Sequence, residues 1–307
     1  MKKILAVVAI ALPLSPPLVQ SQPVSFSFLR TIVGARPAAL AGSMLSVSHD
    51  PLAIFYNPAG IADMSSHAGA FGYLNHLLDI QSFVGAYVHP HQNGSYGFGV
   101  HLTDYGTLSR TDSFGEELGD FGASSMVVNA TYSRIHAERW LLGVNLKYLR
   151  SEIDRYSADG FGIDLGVIYH SHFFDNLNLA AGLFNLGAAR TAYIQTKERL
   201  PFSAQLGVSK RLAHLPFTWS AVLLKYRDDD VRVRVGGEFD VSQQFFLRLG
   251  YDTLGKEQKL EVNSGGDRFA GLALGFGISY NQYLFDYAYS SMGEVGSLNR
   301  LSLSVLF

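Results

Sequence analysis

The sequence predicts an all-β protein: a transmembrane antiparallel β-barrel of about 14 strands, with an N-terminal segment folded into its lumen. Three observations lead there. Period-2 alternation recurs between residues 66 and 307, as half-buried strands require. Charged residues are only 16% of the chain, against roughly 25% in a typical soluble domain. No apolar run beyond residue 21 approaches the ~20 residues a spanning helix needs.

The N-terminus comes first. Lys2-Lys3 precedes the apolar run "ILAVVAIALPL", followed by Pro16-Pro17 and the small residues Val19 and Ser21. A basic start, a short apolar stretch and small residues at the cut site predict a secretory signal over 1–21. The run is too short to act as a membrane anchor. There is no Cys anywhere, which excludes a lipoprotein anchor, disulfides and thiolate chemistry.

Fourteen strand segments follow, near 66–75, 78–89, 94–105, 122–135, 139–150, 158–170, 177–186, 201–212, 216–226, 231–240, 244–252, 268–280, 283–290 and 298–307. In "SYGFGVHLT" the residues Tyr96, Phe98, Val100 and Leu102 oppose Gly97, Gly99, His101 and Thr103. "RWLLGVNLKYL", "FAGLALGFGISY" and "NRLSLSVLF" repeat the pattern, bulky and apolar on one face, mostly small or polar on the other. A soluble sandwich would carry charge on its second face. A membrane barrel instead turns the apolar face to lipid and the small polar face to the lumen. Tyr148, Tyr169, Tyr226 and Tyr280 at strand ends suit interfacial girdles.

The connections sort by parity. After even strands they are short: "PHQN", "HAE", "SHFFDN", "AHL", "VSQ", "NQ". After odd strands they are mostly long, including "GTLSRTDSFGEELGDFG", "GAARTAYIQTKERLP" and "TLGKEQKLEVNSGGDR", with "HL" the exception. Such parity predicts an outer-membrane barrel with both termini in the periplasm. Residues 22–64, ahead of the barrel at 65–307, are apolar but irregular. Irregular backbone at membrane depth must be buried in protein, so this segment is expected inside the lumen as a hatch, with Pro58 breaking its last helical piece.

Catalytic signatures are absent. The sequence holds no H-E-x-x-H, G-x-S-x-G, Walker A or complete G-x-G-x-x-G motif, so no enzyme and no cofactor is expected. The pairs His89/His91 and His170/His172 read as solvated turn residues rather than metal ligands, and Asp228-Asp229-Asp230 as a polar loop rather than a calcium site. Lys147, Asp164, Arg232 and Arg234 are expected in the lumen, where ion pairs would pin the hatch.

Asn57-Pro58-Ala59-Gly60, behind Asp50 and an apolar triplet, resembles the hatch motif of FadL-type transporters of fatty acids and aromatic hydrocarbons, which are fourteen-stranded barrels. More specifically, residues 28–60 are similar to the start of the PorV/PorQ family of the type IX secretion system. The family's Ala-Arg-x-x-Ala-Leu-x-Gly element is matched by Ala35, Arg36, Leu40 and Gly42 within "ARPAALAG". "GEELGDFGASSMVVNATYSR" and "LPFSAQLGVSKRLAHLPFTWS" look like the PorQ branch, whereas Phe55-Tyr56 ahead of the complete Asn-Pro-Ala-Gly is closer to PorV and FadL.

The resemblance implies an outer-membrane component of a secretion and attachment machinery, which works by binding and positioning. Its implied partners are a PorZ-like surface protein, a sortase or cargo with a C-terminal sorting domain, together with outer-membrane lipid and no nucleic acid. The loops at 106–121, 187–200 and 253–267 would carry recognition, with Arg110, Glu116, Glu117, Asp120, Arg190, Lys197 and Arg199 as contacts. The terminal Phe307 resembles the aromatic end read by barrel-assembly machinery. The alternative, from a different class, is a FadL-like transporter of small hydrophobic molecules. It would need an apolar pocket of a few hundred Å³ beside the hatch. A general diffusion porin would be blocked by such a hatch.

Overall fold

A computed structural model describes residues 26–171, 174–193, 199–227, 229–256 and 268–307. The signal segment 1–21 lies outside the described residues. Fourteen antiparallel strands form a closed barrel, each bonded to its sequence neighbours and β1 to β14. They are β1 (Ala68–Asn75), β2 (Gln81–His91), β3 (Gly94–Thr111), β4 (Glu117–His136), β5 (Trp140–Ile153), β6 (Tyr156–His170) and β7 (Leu177–Ala189). The ring continues with β8 (Ser203–Arg211), β9 (Phe217–Tyr226), β10 (Val231–Asp240), β11 (Phe245–Asp252), β12 (Leu272–Tyr280), β13 (Tyr283–Ser291) and β14 (Ser297–Leu306). Closure runs from Ala68↔Leu306 to Asn75↔Asn299, so no sheet edge remains along that seam.

The two faces follow the alternation. Phe98, Leu146, Phe161, Leu206, Leu249 and Leu301 are each more than half exposed on the outside. The inside buries Ser125, Asn129, Thr131, Asn145, Asp164, Arg248 and Asp286. An apolar exterior over a polar interior is the inverse of a soluble fold and suits a barrel solvated by lipid. Among the described residues no helix is long and apolar enough to cross a membrane. The rings of Trp140 and Tyr169 lie 4.6 Å apart, tilted, and those of Tyr96 and Tyr132 5.4 Å apart, forming part of an aromatic girdle near the rim that holds both barrel termini.

Three expectations are corrected. Tyr226 faces inward and is 5% exposed, its ring under the Arg30 guanidinium at 4.3 Å. The apolar pair Leu223-Leu224 beside it hides the alternation. The segment 106–121 is no long loop, because β3 and β4 continue pairing to Thr111↔Glu117 and leave 112–116 as the turn. Its residues are polar because that ribbon stands clear of the apolar band, so the alternation fades while the pairing persists. On the same rim only 190–202 and 253–271 are long among the connections between strands, and 257–267 lie outside the described residues. The first connection is 76–80, turned by Leu78 and Asp79 at positive φ.

Residues 26–67 cross the lumen. They carry a 3-10 turn at Ser27–Arg30, the helix α1 (Ala35–Ala39) and 3-10 turns at Pro51–Phe55 and Pro58–Ile61. Helix α1 lies on β11–β14, and the Pro58–Ile61 turn on β3–β6, at the opposite side of the ring. Met44, Leu45, Leu52, Ile54 and Ile61 are fully buried, each worth roughly 1.5–3 kcal/mol relative to exposure.

Candidate functional site

Asp50-Pro51 and Asn57-Pro58 are two copies of one local device. The Asp50 carboxylate accepts from Leu52 N at 2.8 Å and the Asn57 amide oxygen from Ala59 N at 3.0 Å. In each case proline occupies the first helical position, where its missing N–H costs nothing. Pro58 therefore starts a helical turn, and the expectation that it breaks one is corrected. The Asn57 amide nitrogen also donates to Leu45 O at 2.6 Å and reaches Val167 O on β6 at 3.4 Å. The side chain thus shapes its own turn and joins two stretches of the plug to the wall.

The wall makes room with glycine. A Cβ on Gly143 would lie 2.3 Å from Ala59 N, and one on Gly166 would lie 1.9 Å from the Asn57 amide oxygen. Gly97 and Gly99 pack against Ile54, Ile61 and Phe55, and Gly275 against Ala39. Glycine at these lumen positions permits close backbone approach.

Arg36 joins plug to wall. Its Nη1 donates to Asp50 at 2.9 Å, while Nε and Nη2 grip both oxygens of Glu238 at 2.9 and 2.8 Å. Arg248 then bridges Glu238 and Asp286, at 2.5 Å each. Burial opposes the charge on Arg36, but Glu238 and Asp50 outweigh it and hold the guanidinium pKa well above its ordinary value. Beside it, Ala35 N donates to Ser302 Oγ at 2.7 Å, and Ala38 and Ala39 meet Ala288. Leu40 is buried. Gly42 sits at φ +76, and its N–H donates to Pro37 O at 2.8 Å, closing α1 in a conformation glycine favours.

The lumenal charges sort differently from the expectation that they pin the plug. Lys147–Asp164 (2.7 Å) and Arg234–Asp252 (2.8 Å) link strand to strand. Asp229 receives both Arg30 from the plug and Arg232 from the wall, each at 2.9 Å. Asp164 marks a bulge, where Phe184 and Asn185 of β7 oppose it. Near the terminal rim, Asp63 accepts from Ser48 at 2.9 Å and faces His170 Nε2 at 3.8 Å, so His170 is half-buried rather than a solvated turn residue. His172 and Asp228 lie outside the described residues. Among the described residues no group of three His, Asp or Glu side chains is arranged to hold a metal ion.

A chamber of about 390 Å³ opens between the plug and the rim opposite the termini. Ile32, Ala38, Ala41, Leu254 and Leu272 give it apolar walls, and its charged or titratable groups are Arg30, Arg300, His76 and the pair Arg234–Asp252. Arg300 is 3% exposed and donates to Ile32 O at 3.1 Å and Ser290 Oγ at 2.9 Å. Among the described residues no carboxylate pairs with it. Deeper, between the plug and the wall, lies a void of about 70 Å³. A depression of about 830 Å³ sits on the outer wall, lined by Leu142, Leu165, Leu183, Leu206 and Leu223. Those residues belong to the apolar outer face that such a barrel turns to lipid.

His76 tests the chamber's electrostatics. Burial, then the Arg300 charge, push its pKa from 6.5 down to about 4. The unfolded chain takes up this proton near pH 6.5, the fold only near 4, so stability is full above 6.5 and is lost as pH falls towards 4. The melting temperature of the detergent-solubilised barrel is expected to drop over that window less in His76→Gln than in the wild type. Parallel curves would refute the assignment.

The expected contact residues divide. Arg110 pairs with Asp154 at 2.6 Å and Arg190 with Asp159 at 2.7 Å, so both brace the rim. Asp120 accepts from Ser109 at 3.3 Å, while Glu116, Glu117 and Arg199 are exposed. Lys197 lies outside the described residues.

No protein-family model matches the chain, and no curated protein matches it in sequence. Solved structures do. The toluene transporter TbuX of Ralstonia pickettii superposes with a TM-score of 0.58 at 12% identity, over 89% of this chain and 97% of that one. A Pseudomonas aeruginosa FadL homologue gives 0.56 at 14%, over 89% and 98%. The monoaromatic hydrocarbon channel TodX, as a deletion mutant, gives 0.61 at 14%, over 89% and 97%. At such identities the likeness is one of fold: the chain has the architecture of FadL-like outer-membrane barrels.

Proposed function

We propose that the protein is an outer-membrane barrel that receives a small, mainly hydrophobic molecule bearing one acidic group, in the chamber above its plug, as a step in uptake. The termini then lie in the periplasm and the chamber faces outward. The observation that carries this reading is the apolar chamber of about 390 Å³ with Arg300 buried beside it. Its size lies within the usual range for small-ligand sites, and a buried cation with no carboxylate partner among the described residues favours an anionic head. The solved neighbours described as hydrocarbon channels are consistent with it.

The test is a fluorescence titration of the purified barrel with a dansyl-labelled fatty acid and its methyl ester. The acid is expected to bind more tightly than the ester, and Arg300→Gln to weaken the acid roughly tenfold or more. Failure of both probes to bind the wild type would overturn the reading.

A second reading, a component of the type IX secretion and attachment machinery that holds a PorZ-like protein, a sortase or sorting-domain cargo, is favoured by the place of the 35–42 element. Arg36 there anchors the plug through three hydrogen bonds to Asp50 and Glu238, which suits a barrel that stays shut. Affinity purification from solubilised outer membranes separates the two. Recovery of a surface attachment protein or sorting-domain cargo supports this second reading. A barrel that co-purifies with lipid alone supports the first.

A further inference from the structure

The chamber leaves one feature of the same rim unexplained, the ribbon raised by β3 and β4. β2 accompanies β3 only to Gln81↔Asp104, and β5 accompanies β4 only to Ile153↔Ala123, while β3 and β4 go on to Thr111↔Glu117. Beyond the barrel wall the ribbon therefore has sides that no other strand covers. On the β4 side Asp154 N reaches Gly122 O, and Arg110 passes over the Phe121 ring to Asp154. The β3 side, residues 105–111, carries no strand among the described residues. Free edges are normally blunted by charged residues, proline, bulges or a covering element. Register shifts fall between Asp104 and Thr107 and between Arg110 and Thr111, so the regular part of this edge is 107–110. Neither Lys nor Pro occurs between 94 and 121.

Side chains add two further requirements. Phe114 is 91% and Leu118 61% exposed at the tip. From Thr111 to Ser133 there is no Lys or Arg, while Asp112, Glu116, Glu117 and Asp120 are all acidic. The ribbon's own cation, Arg110, is paired with Asp154. An acidic ribbon is repelled by the phosphates of a lipid surface, which argues against a lipid occupant. It attracts a basic polypeptide.

We propose that the β3 edge at 107–110 takes up an extended, basic segment of another protein as an added strand. Main-chain hydrogen bonds supply the pairing. Glu116, Glu117 and Asp120 select for lysine or arginine, and Leu108 with Phe114 offers apolar contact to alternate side chains. This surface is separate from the chamber and is independent of which ligand the chamber holds.

The test uses the full-length barrel in detergent and a synthetic peptide of alternating valine and lysine, read by fluorescence anisotropy. Three comparisons accompany it: a valine–glutamate peptide, the lysine peptide N-methylated at every second amide, and the variant Glu116→Gln/Glu117→Gln/Asp120→Asn. The lysine peptide is expected to bind, the glutamate peptide not to, and the triple variant to bind on the order of tenfold more weakly. N-methylation blocks one edge without changing charge, so it should abolish binding. Equal binding of the N-methylated peptide would reduce the ribbon to a charged patch and overturn the proposal. So would no binding of the lysine peptide to a barrel whose melting temperature is normal. Sedimentation of the wild type as a dimer that the triple variant abolishes would also overturn it, by making a second copy the occupant.

Discussion

Replacing Arg36 by alanine is expected to free the plug from the wall and destabilise the protein by about 3–5 kcal/mol, the range for removing one partner of a buried ion pair. The magnitude follows from what is left behind. Glu238 loses two hydrogen bonds from Arg36 and keeps Arg248, while Asp50 loses its cation and retains its cap on Leu52 N. The deficit therefore falls on the plug and not on the strand ladder, which contains none of these bonds. Three readouts follow. The wild-type barrel should resist protease within residues 26–67, and Arg36→Ala should be cut there while β1–β14 remain protected. In planar bilayers the variant should open discrete conductances that the wild type lacks. Arg36→Lys should fall between the two, because an ammonium cannot hold both Glu238 oxygens and Asp50 in one fork. Unchanged proteolysis and melting in Arg36→Ala would show that apolar burial alone holds the plug.

Much of the barrel was legible because its solvent is lipid. Where β-strands cross the apolar band, outward residues must be apolar and lumenal ones small or polar, so "SYGFGVHLT" fixes its own register. Legibility stops where that constraint stops. Residues 107–111 and 117–121 stand in water, alternate poorly and read as a loop, although they pair as strands. Tyr226 failed for another reason: Leu223 and Leu224 are both apolar, and only the plug, through Arg30, tells which face is inside. The plug's partners were out of reach. Arg36 and Glu238 lie some 200 positions apart, and nothing local to either announces the other. What local chemistry could show was the pair of caps. Asp-Pro and Asn-Pro each signal a helical start, and reading Pro58 as a breaker gave too little weight to proline's fitness for the first position. The small lumenal face is visible in the alternation, but which of its glycines meets which plug atom depends on the closed ring.

Gly166→Ala should therefore do far more damage than a single methyl suggests. Its Cβ would stand 1.9 Å from the Asn57 amide oxygen and 2.9 Å from Pro58 Cδ, inside any permitted contact. The strand cannot yield easily, because Gly166 is paired on both sides, to Gly143 of β5 and Gly182 of β7. Asn57 must move instead. Moving it disrupts the cap on Ala59 N and the bonds to Leu45 O and Val167 O, all in a buried site where an unsatisfied amide costs about 1–3 kcal/mol. Overpacking adds a typical 1–3 kcal/mol, so a loss of roughly 2–6 kcal/mol is expected. Gly69→Ala is the control within the same wall. Its nearest neighbours would be 3.9 Å away, an ordinary contact, and its stability should stay within about 0.5 kcal/mol of the wild type. Asn57→Ala probes the same contact from the other partner. It removes the obstructing amide, so the double variant Gly166→Ala/Asn57→Ala should be less destabilised than the sum of the singles. That coupling, measured by denaturant or thermal unfolding in detergent, is the decisive quantity. Strict additivity would mean that Asn57 and Gly166 do not touch, and that the plug sits elsewhere in the lumen.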